Sequence, residues 1–353
     1  METTSDPASP VLLTKSGPVQ TIVLNRPAAL NSLSYEMIGL IRMAVERGAE
    51  DDTVGLLLFS GAGEKGFCAG GDIKALARDV REGRVDKALD FLAEEYALDL
   101  SLHRFTKPVV VLADGITMGG GLGLAAGADL VVATERTRMA MPETRIGYFP
   151  DVGATGWLFE KCPPGYPEYL GLTGYEVQGP ESVRLGLATR LVHSADLPGL
   201  VEGLKNLSAE FPGNKPEALR RITAVMEPFI IRNIPPKPEM DDWVRTTLAG
   251  KDSIPDLLED LRQCSLFSDL CQGIFQRLSE RSPTALTVTL QLLRHNQGRP
   301  MEEVFEMDLK ASRFLLNHPD YLEGVRARLI DKDDRPRWQP DRLEEVGEIR
   351  LDP

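Results

Sequence analysis

Residues 109–133 read VVVLADGITMGGGLGLAAGADLVVA, and this stretch decides the fold class. It opens with the apolar run 109–113 and closes with a second run at 130–133. Continuous apolar runs of this length are typical of strands that are buried on both faces. The glycine-rich turn between the runs leads into a helical segment, so the stretch predicts a strand, a helix and a strand in succession. This order is typical of an α/β fold with parallel strands.

The same alternation occurs earlier in the chain. Apolar runs at residues 11–13 and 21–24 predict two paired strands, and the run at 54–59 predicts another buried strand. Ser34 is a residue type that caps helices. It precedes apolar residues at helical spacing, namely Met37, Ile38, Ile41 and Val45. A glycine-rich loop at 61–71 leads into a polar helical region that reaches about residue 103.

The pattern changes after about residue 205. Pro212, Gly213, Pro235 and Pro236 punctuate a linker-like stretch. The remainder has helical patterns at 257–270, 285–294 and 301–316 and ends in a highly charged tail. We therefore expect two regions, an α/β core over residues 1–204 and a mainly helical C-terminal region over residues 205–353.

Composition narrows the class of partner. Of the 353 residues, 42% are apolar and 26% are charged, as is ordinary for a globular chain. Lys and Arg total 40 and Asp and Glu total 53, which gives a net charge of −13. This balance argues against nucleic acid or an anionic membrane surface as the partner. No apolar run approaches the roughly 18 residues of a membrane span. An anionic small molecule stays compatible, because it needs only a few local donors.

The cysteines and the first residues bear on the cellular compartment. The four cysteines contain no C-x-x-C pair and no metal-finger spacing, so we expect reduced, structural thiols and no metal site. The opening residues METTSDPASP have no apolar core and no Arg, unlike a signal or transit peptide. These features predict a cytoplasmic location.

Two glycine-rich turns are candidates for a binding site. They are FCAGGDI at residues 67–73 and MGGGLG at 118–123, and each follows a strand pattern and opens a helical one. Glycine allows close backbone approach, and the N–H groups of a first helical turn are unpaired. Two such N–H groups converging on one oxygen would form an oxyanion hole. Two alternatives stay open here, plain strand-to-helix turns and a dinucleotide-binding turn. The second lacks the G-x-G-x-x-G register.

A third candidate segment, MPETRIGYFPDVG, covers residues 141–153. It places Glu143 and Asp151 eight residues apart in a loop rich in Gly and Pro. Positioned carboxylates in a partly desolvated loop suit acid–base catalysis. The alternative is a solvated loop in which one acid caps a helix.

These three segments have the order and spacing of the crotonase (enoyl-CoA hydratase/isomerase) superfamily. The chain further resembles the 3-hydroxyisobutyryl-CoA hydrolase branch, with Glu94-Glu95-Tyr96 and, far downstream, EGVRA at 323–327 followed by LIDKD at 329–333. The resemblance covers nearly the whole chain and is least clear over residues 205–280. It implies an α/β fold with a crotonase-like ββα spiral core and a helical C-terminal extension.

The resemblance also implies a set of site residues. It assigns the oxyanion hole to the backbone N–H groups of Gly71 and Gly120, and the catalytic carboxylates to Glu143 and Asp151. Glu95 matches an acidic position that contacts the substrate. Together with Gly120, Glu143 and Asp151 it forms the expected substrate-binding set.

One position separates reactions within the superfamily. Hydratases of this fold use two glutamates, and the position of the first is occupied here by Gly123. Hydrolysis of a short branched 3-hydroxyacyl-CoA is therefore expected, with 3-hydroxyisobutyryl-CoA as the most direct substrate. Coenzyme A would be part of the substrate, with no further cofactor. The alternatives are an enoyl-CoA hydratase or isomerase and a non-catalytic acyl-CoA-binding protein.

Assembly and the phosphate contacts are less defined. Crotonase relatives often form trimers or pairs of trimers, so a homo-oligomer is one interpretation, but the long helical C-terminus could either mediate or block that packing and the oligomeric state stays open. The cations nearest the matched loops are Arg26, Lys65, Lys74 and Arg145. They could meet the phosphates of coenzyme A or be solvated surface charges, and both interpretations stay open.

Overall fold

The structure, a computed structural model, describes residues 6–207 and 214–351. Its strands in these ranges are β1 Val11–Ser16, β2 Val19–Leu24, β3 Leu56–Gly61, β4 Gly66–Cys68, β5 Val109–Ala113, β6 Ile116–Met118, β7 Leu130–Thr134, β8 Arg138–Ala140, β9 Val177–Gln178 and β10 Arg190–Val192. Its α-helices are α1 Tyr35–Glu50, α2 Ile73–Arg81, α3 Val85–His103, α4 Gly120–Ala126, α5 Ala154–Lys161, α6 Tyr166–Thr173, α7 Gly179–Arg184, α8 Leu197–Lys205, α9 Lys215–Met226, α10 Pro238–Leu248, α11 Ile254–Gln263, α12 Ser268–Ser279, α13 Pro283–Asn296, α14 Met301–Leu316 and α15 Pro319–Val325.

The strands form two sheets. The larger has the order β1-β2-β3-β5-β7-β10, and the smaller has the order β4-β6-β8-β9. The first two strands of the larger sheet pair antiparallel, and all its other neighbours are parallel. Every residue of β5 and of β7 is buried, which explains their uninterrupted apolar runs. The predicted parallel α/β architecture is confirmed.

Successive strands alternate between the two sheets. In three consecutive pairs, β3–β4, β5–β6 and β7–β8, the first strand joins the larger sheet and the second joins the smaller one. A helix follows each of the first two pairs, α2 after β4 and α4 after β6. This is the predicted ββα repeat. The second strand of each pair has only three residues, too few to leave an apolar run in the sequence.

The chain divides into two compact units. Unit 1 consists of Met1–Gly71, Ala97–Met139 and Val177–Pro236 and contains all strands of the larger sheet. Unit 2 consists of Asp72–Tyr96, Ala140–Glu176 and Lys237–Pro353 and is mainly helical. Each unit draws on segments from both sides of residue 204, so the division there stays a prediction about sequence regions. Of the linker-like positions, Pro212 and Gly213 lie outside the described residues.

Helices α8 and α9 cover one face of the larger sheet within unit 1. Side chains of the sheet such as Leu58 and Val110 bury against Leu200 and Ile222 from these helices. Helix α1 begins where the sequence predicts, because the Ser34 side chain accepts a hydrogen bond from the Met37 N–H at 3.3 Å. No helix in the described ranges is both long enough and apolar enough to cross a bilayer.

Two expectations about the helical part are wrong. The pattern at 257–270 is two helices, α11 and α12, because Phe267 adopts a left-handed φ of 57° between them. Cys264 and Cys271 form a disulfide across this break, so the expectation of reduced thiols is wrong for this pair. Cys68 and Cys162 are free and buried. No cysteine motif has a spacing of seven residues, and the break between the helices that brings the two cysteines together is not visible in the sequence. The disulfide was therefore not predicted.

Candidate active site

In unit 1 the two glycine-rich loops lie side by side. Each follows one strand of the parallel pair β4–β6, so the pairing brings the loops to the same sheet edge. Gly70 has a φ of +95°, and a Cβ atom there would lie 3.1 Å from the carbonyl oxygen of Met118 and 3.3 Å from the nitrogen of Gly120. The first loop therefore needs glycine at position 70 for both its backbone conformation and its close contact with the second loop.

The second loop also contains a glycine that has no room for a side chain. A Cβ on Gly121 would lie 2.4 Å from the carbonyl oxygen of Cys68. Leu33 anchors the first loop. Its N–H donates to the Gly70 carbonyl at 2.8 Å, and the residue forms a parallel β-bridge with Gly71. Gly120 is the first residue of the buried helix α4, as predicted. The loops of the two predicted donors are thus together, and the convergence of their N–H groups on one oxygen stays a prediction.

In unit 2 the three predicted carboxylates are grouped and buried. Glu95 lies on α3 and is 2% exposed, Glu143 begins the 3-10 helix Glu143–Ile146 and is 8% exposed, and Asp151 is 7% exposed. Acidic side chains are rarely so buried without a partner. This burial argues against the alternative of a solvated loop with a capping acid.

The backbone on both sides of Asp151 has unusual conformations. Gly147, at a left-handed φ of 70°, ends the 3-10 helix, and Gly153 at 75° precedes α5. Val152 has a φ of 50°, which a β-branched residue rarely adopts. The Trp157 Nε1–H donates to the Val152 carbonyl at 2.9 Å and helps to hold this conformation. Strain of this kind costs about 1–3 kcal/mol and is concentrated at functional sites.

Burial and mutual repulsion raise the pKa values of these carboxyl groups. Burial raises the pKa of Glu95 and of Glu143 well above the usual range, and the nearby charge of Asp151 adds to both. Burial also raises the pKa of Asp151, to about 6. The charged neighbours that act on Glu95 and Glu143 within the described residues are acids. The negative charge that the group carries is therefore limited by repulsion.

Tyr96 makes Asp151 the strongest acid of the group. Its hydroxyl donates to Asp151 Oδ2 at 2.7 Å, which stabilises the ionised form and lowers the pKa against the effect of burial. Glu95 Oε1 and Glu143 Oε2 are buried, and the part of the chain that the structure describes offers neither a hydrogen-bond partner. Buried polar atoms of this kind call for a partner such as water or a bound polar group. Asp151 thus ionises more readily than burial alone would allow, while Glu143 and Glu95 hold their protons to a higher pH than ordinary carboxyl groups do.

Helix α14 adds two buried polar residues that sequence reasoning missed. Ser312 accepts a hydrogen bond from the Tyr148 hydroxyl at 2.6 Å, and Asp308 Oδ2 accepts one from the Gly153 N–H at 2.8 Å. Burial raises the pKa of Asp308 well above its usual range. The sequence does contain a signal, because the two residues are four apart within the apolar stripe of α14, between Phe305 and Leu315. A polar residue on such a stripe indicates a buried network.

The downstream EGVRA segment packs beside the turn that carries Glu143. It overlaps α15, which begins beside the buried carboxylate of Asp320. That carboxylate accepts hydrogen bonds from the Ser282 hydroxyl at 2.5 Å and from the Gln339 N–H at 2.7 Å, and so joins α13, α15 and the tail. A Cβ on Gly147 would lie 2.4 Å from the Asp320 carbonyl oxygen. The tail motif thereby supports the carboxylate loop directly.

The other residues named from the sequence make no contact, within the described part of the chain, that defines a role. Gly123 is buried within α4 and contributes no side chain. Lys65, Lys74 and Arg145 are exposed, and Arg26 is half-buried and donates to the Ser32 carbonyl at 2.7 Å. Their contact with coenzyme A phosphates stays a prediction.

Comparison with known proteins identifies similar sequences. The family model described as enoyl-CoA hydratase/isomerase matches residues 19–352. The chain is 36% identical over 352 residues to a Gallus gallus protein named "3-hydroxyisobutyryl-CoA hydrolase, mitochondrial", with 99% of this chain and 89% of the relative covered. It is 35% identical to the Homo sapiens protein of the same name, with 98% and 88% covered.

Two solved structures of enzymes with other names show the same family likeness. A carnitinyl-CoA dehydratase from Mycobacterium thermoresistibile has a TM-score of 0.85 and 30% identity, with 96% of this chain and 94% of that chain covered. An enoyl-CoA hydratase from Rhodobacter sphaeroides 2.4.1 has a TM-score of 0.83 and 31% identity, with 96% and 95% covered. The mixed α/β fold with its ββα repeat is therefore shared over nearly the whole chain.

Proposed function

Because this chain belongs to the enoyl-CoA hydratase/isomerase family, we propose that it hydrolyses the thioester of a short branched 3-hydroxyacyl-CoA. The proposed substrate is 3-hydroxyisobutyryl-CoA, and the products are 3-hydroxyisobutyrate and free coenzyme A. Near-full-length similarity to proteins named as 3-hydroxyisobutyryl-CoA hydrolases supports this substrate. The observation that carries the reaction type is the buried pair Glu143 and Asp151, two carboxyl groups of different acidity.

A pair of this kind suits hydrolysis. Two titratable groups whose surroundings separate their pKa values can divide the roles of acid and base. Asp151 is ionised first and orients water or accepts a proton, while Glu143 acts on the acyl carbon or on the attacking water. Because the charge of one carboxyl raises the pKa of the other, a proton that moves to Asp151 makes ionisation of Glu143 easier.

The thioester carbonyl is held, in this proposal, by the N–H groups of Gly71 and Gly120. Negative charge develops on that oxygen when the carbonyl carbon is attacked, and two donors stabilise it. Glu143 then follows one of two routes. As a nucleophile it forms a mixed anhydride and expels the coenzyme A thiolate, which takes the proton held by Asp151, and water cleaves the anhydride afterwards. As a base it takes a proton from the water that attacks the thioester directly.

Glu95 is the proposed contact for the 3-hydroxyl group of the substrate. Its Oε1 atom is buried and has no hydrogen-bond partner within residues 6–207 and 214–351. A substrate hydroxyl can satisfy such an atom, and an acyl group without the hydroxyl leaves it unsatisfied. Selectivity for 3-hydroxyacyl groups follows from this difference.

A hydratase is the second candidate function, and the similarity to the enoyl-CoA hydratase from Rhodobacter sphaeroides 2.4.1 favours it. A two-glutamate hydratase needs a side-chain carboxylate where this chain has Gly123. Thiol release separates the possibilities. We expect free thiol from 3-hydroxyisobutyryl-CoA, less from 3-hydroxypropionyl-CoA and none from crotonyl-CoA. Hydration of crotonyl-CoA without thiol release would overturn the proposal in favour of a hydratase, and acyl-CoA binding without turnover would favour a binding protein.

One labelling experiment tests the nucleophile route for Glu143. A single turnover in ¹⁸O-labelled water leaves label in the Glu143 peptide only if an anhydride forms and water attacks its glutamyl carbon. Label found in that peptide by mass analysis therefore supports the nucleophile. Label confined to the released acid fits either the base or an anhydride that water cleaves at the acyl carbon.

Location, assembly and cofactors are part of the same proposal. The similar Gallus gallus and Homo sapiens proteins are named as mitochondrial, so they do not support the predicted cytoplasmic location, which subcellular fractionation would test. A trimer or hexamer and the lack of a further cofactor stay predictions. Analytical ultracentrifugation tests the first, and turnover after exhaustive dialysis against chelator tests the second.

A further inference from the structure

Three buried hydroxyl groups meet beside Asp151, those of Tyr96, Tyr148 and Ser312. The Tyr96 hydroxyl donates to Asp151 Oδ2 at 2.7 Å, and the Tyr148 hydroxyl donates to Ser312 Oγ at 2.6 Å. The Ser312 hydroxyl donates to the carbonyl oxygen of Asp308 at 2.7 Å. Each of the three hydroxyl hydrogens is thereby used once.

Two further contacts of Tyr96 have no hydrogen to fill them, one with Ser312 and one with Tyr148. The hydroxyl oxygens of Tyr96 and Ser312 lie 3.1 Å apart, within hydrogen-bond distance. A serine hydroxyl has one donor and two acceptor positions. Ser312 uses its donor on Asp308 and one acceptor position for Tyr148, so its second acceptor position faces Tyr96.

That second acceptor position becomes useful when Asp151 is protonated. The new hydrogen on Asp151 needs an acceptor, and the Tyr96 oxygen is already at hydrogen-bond distance. The Tyr96 hydrogen must then turn away from Asp151, and Ser312 can take it. All four hydrogens find acceptors in this arrangement, and Ser312 reaches its full capacity of two accepted bonds and one donated bond.

We propose that Ser312 is a positioning residue that acts through Tyr96 and lets Asp151 alternate between accepting a hydrogen bond from Tyr96 and donating one to it. The inference rests on the proposed function, in which Asp151 takes up and returns a proton in each turnover. The proton that Asp151 takes up comes from Glu143 or the attacking water and passes to the departing coenzyme A thiolate, so Asp151 is unchanged after each turnover. Ser312 itself does not touch the reacting atoms in this scheme.

Removal of the Tyr96 hydroxyl and removal of the Ser312 hydroxyl should shift the protonation of Asp151 in opposite directions. The titratable groups that face it are Glu95 and Tyr96 on α3, Glu143, Tyr148, and Asp308 on α14. Burial favours the neutral form of Asp151, and donation by Tyr96 favours the charged form. Loss of the Tyr96 hydroxyl therefore favours neutral Asp151, whereas loss of the Ser312 acceptor removes support from neutral Asp151.

The test is a carboxyl titration of the intact, ligand-free protein by NMR. The protein carries ¹³C at its aspartate carboxyl carbons, and the spectrum of Asp151→Asn assigns the Asp151 signal. We expect Ser312→Ala to lower the pKa of Asp151 by about 0.5–1, and Tyr96→Phe to raise it by a similar amount, the size of one hydrogen bond. A role for Ser312 in packing alone would not move the two variants in opposite directions.

Two further variants guard against a general disturbance. Ser312→Thr keeps the hydroxyl and should return the titration toward that of the unmodified protein. Tyr148→Phe removes another hydroxyl on the same serine but leaves its acceptor positions, so the pKa of Asp151 should not fall. A titration that Ser312→Ala leaves unchanged, or shifts in the same direction as Tyr96→Phe, overturns the proposal. Thiol release is measured in parallel, so a failure of the hydrolase function is seen separately from the titration.

Discussion

Gly324 of α15 and Ile146 of the 3-10 helix are in direct backbone contact. A Cβ atom on Gly324 would lie 2.3 Å from the carbonyl carbon of Ile146. That contact lies three residues from Glu143, which begins the same turn. The glycine of the downstream EGVRA segment therefore sets how closely α15 approaches the turn that carries a proposed catalytic carboxylate.

Gly324→Ala should displace this turn. The added methyl group meets backbone atoms, which cannot move aside as a flexible side chain can, so we expect a loss of about 1–3 kcal/mol in the free energy of unfolding. A small displacement of a catalytic group can cost roughly 100-fold in rate, and kcat should fall accordingly. The matched control is Gly273→Ala on α12, where a Cβ would meet nothing within 4 Å. Equal activity loss in both variants would contradict the steric explanation.

Gly70→Ala tests the glycine loops in the same way. Gly70 combines a positive φ with a Cβ position 3.1 Å from the Met118 carbonyl oxygen, whereas Gly83 has a φ of +77° and open space. Alanine at either position should cost about 1–2 kcal/mol of stability through its backbone conformation. Only Gly70→Ala should also lower kcat, because only there is a loop of the proposed oxyanion hole pushed aside. Urea unfolding and thiol release on both variants check this, and normal turnover by Gly70→Ala would count against the assignment.

The pH dependence of kcat/KM should report Asp151. Its pKa is raised to about 6, and the proposed role uses the ionised form, so kcat/KM should fall as the pH drops below about 6. Asp151→Asn should lower kcat/KM by about 10²–10⁴-fold and remove this limb of the profile. Asp90→Asn, which changes an exposed carboxylate on α3, serves as the control. A profile that instead falls above pH 6 would show that the protonated form is the active one.

Glu95 should control the preference for a 3-hydroxyl group. We expect Glu95→Ala to lower the ratio of kcat/KM for 3-hydroxyisobutyryl-CoA to that for isobutyryl-CoA by about 10- to 100-fold, as for loss of a hydrogen bond to a charged or strongly polar group. Glu94→Ala changes the exposed neighbour and should leave the ratio unaltered. The hypothesis fails if Glu95→Ala slows both substrates equally.

Stability should fall as the pH rises from about 5 to 7, above the usual pKa range of carboxyl groups. Burial raises the pKa values of Glu95, Glu143 and Asp308 in the folded protein, so these groups retain protons that the unfolded chain has already released. Each retained proton lowers the free energy of unfolding by up to about 1.4 kcal/mol per pH unit through this window. Asp308→Asn should flatten the dependence, and Asp52→Asn, at an exposed site, should not. Urea midpoints at pH 5 and pH 7 measure the difference.

The larger sheet was predictable from sequence because its strands leave continuous apolar runs. Strands β5 and β7 are buried along their whole length, and helix α1 begins at its predicted cap. The three-residue strands β4 and β6 leave no such signal, although their pairing brings the glycine loops together. Long buried elements are visible in a sequence, and short pairings depend on what the chain packs against.

The candidate site was predictable only in part. Spacing alone left Glu143 and Asp151 undecided between catalysis and capping, and the family resemblance supplied their roles. Their burial and raised pKa values add a physical reason, because a capping acid in a solvated loop would have neither. Ser312 and Asp308 escaped notice because they come from a helix more than 150 residues away, and their effect depends on tertiary packing.

The path of the chain between the two units has a consequence for how such a protein can evolve. The chain passes from one unit to the other after residues 71, 96, 139, 176 and 236. A single recombination event between two genes exchanges one continuous piece, and no such piece contains the whole of one unit without parts of the other. Exchange of a complete unit with a paralogue would need five simultaneous junctions. New specificities should therefore arise by substitution and insertion within each segment, and not by shuffling of modules.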